Sequence, residues 1–221
     1  MSSSPFPRLV VVPPSTDSTR YLLRRFYPAA SDTDPDHPKV AVATGFAPSG
    51  GLALQELAGL SDGDAKAIVA TATKNVTQGP RDWQVAEKAG FIFKKPSLLR
   101  GMGDPMVPAS TMQTAGGGID DLASDLILDE AFMAKAGDLL GGPDLIAAVP
   151  KRGWLLVGKC TPGQLPVMLK FTQIAEGIAG RGGRDALTTN CYFVNGGKVK
   201  GVSGNGYLSL LSSHDAPWNR G

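Results

Sequence analysis

DLIAAVPKRGWLLVGKC, residues 144–160, is the stretch whose reading decides the fold. An apolar run, DLIAAVP (144–150), meets the charged triplet Lys151-Arg152-Gly153, and a second apolar run, WLLVGKC (154–160), returns. Short apolar runs bounded by turn residues read as paired strands. The stretch therefore predicts an antiparallel hairpin that buries apolar side chains, with Cys160 at its end. A strand delivering Cys160 as a nucleophile would need a base beside the thiol, and no histidine is local.

The pattern extends outward on both sides. Upstream, DLASDLIL (121–128) reads as a strand, Asp129 as an N-cap, and EAFMAKAGDLL (130–140) as a helix stopped by Gly141-Gly142. Downstream, a helix runs from near Pro162 to Gly180. ALTTNCYFV (186–194) and KVKGV (198–202) then flank Asn195-Gly196-Gly197, a strong hairpin signal. The C-terminal half thus reads β-α-β-β-α-β-β. This is an α+β fold, a largely antiparallel sheet with helices on one face.

The N-terminal half is less regular. RLVVV (8–12) and KVAVATGF (39–46) read as strands, 17–26 and 52–60 as short helices. Ser61-Asp62-Gly63-Asp64 is a capping-box variant that opens a longer helix over 65–76. WQVAEKAGFIFKK (83–95) reads as one or two strands. Residues 96–118 carry little pattern, so the chain is either a single α+β domain over 1–221 or two lobes divided within 96–118.

Composition narrows the function classes. Hydrophobic residues are 42% and charged residues 19%, enough for a core without disulfide staples. A formal charge of +2 supplies no net field for nucleic acid or anionic lipid. Two cysteines, with no signal peptide in MSSSPFPRLVVVPP, suggest reduced thiols in the cytoplasm. No window approaches the length of an apolar membrane span.

The candidates for chemistry are few. Cys160 and Cys191 are the thiols, and His37 and His214 the possible bases. Strand cysteines usually act as small hydrophobes. The run VATGFAPSGGLALQEL suggests a strand, glycine loop and helix able to cradle phosphate near 45–52, but it lacks both the Walker ending and GxGxxG. GIAGRGGRD (177–185) reads as a loop after a helix C-terminus. Asp120, Asp121, Asp125, Asp129 and Glu130 read as a solvated acidic edge, with no metal spacing. Lys151, Arg152 and Trp154 combine cations with an aromatic, the composition of a protein-contact surface.

Three segments together resemble a known family: LALQELAGLSDGDAKAIVATATKNV (52–76), DLILDEAFMAKAGDLLGGPDLIAAVPKRGWLLVGKC (125–160), and a closing hairpin ending NGGKVKGV (195–202). This order is similar to the YtpQ-like family of uncharacterised bacterial cytosolic proteins. The hairpin Ala148-Val149-Pro150-Lys151-Arg152-Gly153-Trp154-Leu155-Leu156-Val157 carries the likeness, which spans 50–78 and 119–202. The resemblance implies a fold and no activity, cofactor or catalytic residue.

The expectation is a non-enzymatic cytosolic protein acting through protein–protein contacts: an adaptor, regulator or immunity-type binder. Its surface would be Lys151, Arg152 and Trp154 with the 98–116 loop, without cofactor or metal. The alternative is a cysteine-dependent hydrolase or transferase using Cys160 or Cys191 with His37 or His214. Nucleotide binding at 45–52 is a third reading.

Overall fold

The computed structural model describes residues 6–26, 37–48, 51–77, 83–85, 98–101, 123–160 and 165–203. In chain order the elements are β1 (Arg8–Val12), β2 (Leu23–Arg25), β3 (Lys39–Phe46), β4 (Leu52–Leu54), α1 (Asp62–Val76), β5 (Trp83–Val85) and β6 (Leu98–Gly101). A 3-10 helix (Ala123–Leu128) then leads into α2 (Glu130–Leu140), β7 (Asp144–Ala148), β8 (Leu155–Lys159) and α3 (Leu165–Ala179). After a 3-10 turn (Gly183–Asp185), β9 (Cys191–Asn195) and β10 (Lys198–Ser203) close the described chain.

The 144–160 stretch is the expected hairpin, paired from Leu145↔Lys159 to Ala148↔Leu156. It lies inside a six-stranded antiparallel sheet ordered β10-β9-β7-β8-β6-β5. The α+β class with antiparallel sheets holds. The helices do not share one face, however. Leu145, Ala147 and Val157 join the core containing Phe132 and Met133 of α2. Ile146, Ala148 and Leu156 pack with Met168, Phe171 and Ile174 of α3 on the opposite side. The physical reason lies in the sequence: both faces of β7 are apolar, so both must be covered.

The segment read as a strand over 121–128 is the other correction in this half: residues 123–128 form a 3-10 helix. Ala123, Leu126 and Ile127 sit three and four apart, so the short apolar run also fits a helical turn that buries them. Asp129 then caps α2 as expected, accepting from the N–H groups of Ala131 (3.0 Å) and Phe132 (3.1 Å).

A second sheet is ordered β1-β3-β2, with β4 also on β3. β3 is eight residues long, and its edge away from β1 is shared. β2 takes Lys39–Ala41, and β4 takes Ala43–Phe46. Both partners were expected to be helices. Asp17 instead accepts from the Thr19 N–H (2.8 Å) and hydroxyl (2.7 Å), a local turn, before β2 forms. Isolated helices this short are marginal, whereas pairing satisfies the backbone of β3 along its length. α1 does open at the Ser61 cap, where the Asp64 N–H donates to Ser61 Oγ (3.2 Å) and that hydroxyl donates to Asp64 Oδ2 (2.6 Å).

One apolar cluster links the sheets, from Leu9 and Val40 to Leu145 and Tyr192. Phe26, just past β2, packs on Tyr192 of β9 with ring centroids 4.7 Å apart. This contact sets β2 near the β9–β10 hairpin and so positions the cleft described below.

Candidate functional site

The thiols come first. Cys160 and Cys191 are both buried in the apolar layer under α3, and neither forms a disulfide. They lie on opposite sides of β7: the Cys160 N–H donates to Asp144 C=O, while Cys191 pairs with Ala148. Two strand spacings, about 10 Å, separate their strands, beyond the Cα–Cα span of ~7 Å that a disulfide bridges. Burial, then the nearby Asp144 carboxylate, pushes the Cys160 thiol up to about 11. Burial pushes Cys191 up to about 12, against a weaker opposing hydrogen bond from Thr172. A nucleophilic cysteine needs the reverse environment, one that favours thiolate. His37 is buried just before β3, in the other sheet, and His214 lies outside the described residues. Thiol reagents at neutral pH are therefore expected to label Cys160 and Cys191 only when the protein unfolds. Fast native labelling, read by mass spectrometry, would contradict this environment.

The hairpin tip is less available than its charge suggests. Arg152 is half-buried and turned inward, donating from Nη2 to Val11 C=O (3.3 Å). The Val11 N–H donates to Asp125 Oδ1 (2.8 Å). Asp125 and Arg152 thus close the edge of β1 that does not face β3. Asp125, read from sequence as part of a solvated acidic edge, is fully buried. Asp120 and Asp121 lie outside the described residues. The Arg152 backbone is held too: its N–H donates to Asp185 C=O (2.8 Å), and the Leu187 N–H donates to Pro150 C=O (3.0 Å). Lys151 and Trp154 pair with each other, the ammonium 5.5 Å from the ring centroid. The 102–116 part of the expected loop surface lies outside the described residues.

The glycine turn near 45–52 loses the topology that suggested phosphate binding. β3 passes into β4, so no helix N-terminus follows the turn. Among the described residues no three His, Cys, Asp or Glu side chains converge as metal ligands. Nor is any helix long and apolar enough to cross a membrane.

Sequence reasoning missed a concave feature that joins the two sheets. Arg24 and Arg25 of β2 line, together with Lys198 and Lys200 of β10, a cleft of about 790 Å³. That volume is in the range of ligand sites, roughly 300–1,000 Å³. Its floor is apolar, formed by Leu9, Phe26, Val40 and Ile127. Glu130, at the first turn of α2, is the carboxylate among the described lining residues, and it pairs with Lys198 at 3.5 Å. All four cations are exposed. A cleft lined by one sign over low-dielectric walls focuses potential and draws counter-charged ligands. A neighbouring cavity of about 420 Å³ is lined mainly by glycine and backbone near Gly141 and Gly196, with Asp138 as its charged group.

The signal was present but divided. In the sequence Arg24-Arg25 reads as the end of a helix, and Lys198-Val199-Lys200 as an ordinary strand. The apolar cluster that joins the two sheets, with Phe26 packed on Tyr192, brings the two pairs to one cleft. Comparison with protein-family models, curated proteins and solved structures finds no match.

Proposed function

We infer that this chain is a non-enzymatic binding protein acting through protein–protein contacts, and that its working surface is the basic cleft between β2 and β10. The observation that carries the reading is the convergence of Arg24, Arg25, Lys198 and Lys200 over an apolar floor. Like charges gathered in one cleft work against the fold, and the carboxylate of Glu130 offsets them at Lys198. A ligand bearing carboxylates and some apolar surface relieves that repulsion and covers the floor. The expected partner is therefore an acidic polypeptide segment. Lys151 and Trp154 form a smaller candidate surface, weakened because Arg152 is committed to the interior.

The test uses a fluorescein-labelled short peptide of alternating glutamate and valine, with a lysine–valine peptide as control. Anisotropy is expected to show binding of the acidic peptide alone. Arg24→Glu/Lys200→Glu should weaken it by about tenfold or more, and raising salt past about 0.15 M should weaken it further. Equal binding by wild type and the double variant would overturn the assignment of the cleft.

A further inference from the structure

The cleft has strand edges for its sides, while Leu9 and Val40 supply its floor from one face of the second sheet. Its lining includes four consecutive residues, Gly197 to Lys200, on one side and three, Arg24 to Phe26, on the other. A sheet face would present alternate residues, since successive side chains point to opposite sides. β10 is the terminal strand of its sheet and, among the described residues, pairs with β9 alone.

The hairpin register shows what that edge offers. Gly196 and Gly197 form a two-residue loop closed by Asn195↔Lys198. In such a hairpin the closing residues exchange backbone hydrogen bonds, and the next residue turns its N–H and C=O outward. That residue is Val199. The ladder shifts between Val199 and Gly201, leaving Lys200 as the extra residue of a bulge. A bulge re-aims its side chain and ends regular pairing.

The molecule treats another edge differently. At Val11 of β1 the outward N–H and C=O are occupied by Asp125 and Arg152. At Val199 no such closure is present among the described residues. Lysines and bulges on an edge commonly block unwanted pairing. That role alone would explain β10, but not the two arginines of β2 facing the same cleft. Placed together, the four cations repel a basic strand and accept an acidic one, which is selectivity by charge.

Resting on the cleft reading above, we propose that the partner binds as an added β-strand: an extended acidic segment pairs with the edge of β10 at Val199 and sets its carboxylates against Lys198, Lys200 and Arg24. Strand addition supplies affinity through the main chain and specificity through side chains.

N-methylation separates pairing from charge, because it removes backbone donors and leaves the carboxylates intact. Two versions of the glutamate–valine peptide are compared with the parent by anisotropy, methylated at alternate amides in the two registers. One register should weaken binding by about tenfold or more and the other much less, since only one set of amides faces β10. If both registers bind like the parent while Arg24→Glu/Lys200→Glu still abolishes binding, strand addition is overturned and the charge-lined cleft stands. If the parent peptide fails to bind even at low salt, both are overturned.

Discussion

Asp125→Ala is expected to destabilise the protein by about 2–4 kcal/mol, among the largest effects of any single substitution in this fold. Two losses add. The Val11 N–H, donating to Asp125 Oδ1 at 2.8 Å, is left without an acceptor inside the protein. The guanidinium groups of Arg152 and Arg8, whose charges act on Asp125, lose the carboxyl they favour. Urea unfolding should show a lower midpoint with an unchanged slope.

The same carboxyl gives a pH signature. Burial pushes it up to about 6, against the pull of Arg152 and then Arg8. The unfolded chain releases this proton near the ordinary value of 3.8, before the folded protein does. Asp125 therefore contributes stability that is present below about pH 4 and is lost as pH rises through about 6. The loss is about 3 kcal/mol at most. Asp125→Asn retains an acceptor for Val11 and does not titrate. The stability of this variant relative to wild type should improve by about 2 kcal/mol between pH 4 and pH 7. A difference that stays flat with pH would contradict the buried, protonatable carboxyl. For the same reason Asp125→Ala should cost more at pH 4 than at pH 7.

Gly197→Ala is expected to cost about 2–4 kcal/mol, and Gly196→Ala only about 1–2. Both glycines have positive φ, 83° and 55°, in the turn between β9 and β10. A side chain at either bears the left-handed penalty. At Gly197 a Cβ would also drive into the Glu130 carbonyl at the start of α2, whereas at Gly196 it meets nothing within 4 Å. The hairpin must shift to relieve that clash, carrying Lys198 and Lys200 with it. Gly197→Ala should thus weaken acidic-peptide binding as well as lower the melting temperature. Equal thermal losses at the two positions would show that the helix contact is not the controlling one.

Local signals in the sequence were reliable where one residue sets one geometry. Ser61 and Asp129 cap their helices, Gly141 ends α2 in a left-handed conformation, and Asn195-Gly196-Gly197 turns a hairpin. Each is a short-range choice of backbone or cap. The failures involve segments whose structure is decided by a distant partner. Residues 23–25 and 52–54 are strands because β3 offers them an edge. Residues 123–128 wind into a 3-10 helix that buries Asp125 against β1. Arg152 looked solvent-facing because it sits in a charged turn, yet its guanidinium reaches a carbonyl 141 positions earlier in the chain. The cleft was illegible for the same reason. Its arginines and lysines lie on two strands from opposite ends of the sequence, and no local pattern states that they meet.

The central claim is that ligand enters between β2 and β10 and not at the Lys151–Trp154 tip. Amide hydrogen exchange of the full chain, with and without the acidic peptide, tests it most directly. New protection concentrated at 197–200 and 24–26, and absent from Arg24→Glu/Lys200→Glu, is the result expected. Protection centred on 151–154, with 197–200 unchanged, would contradict the account.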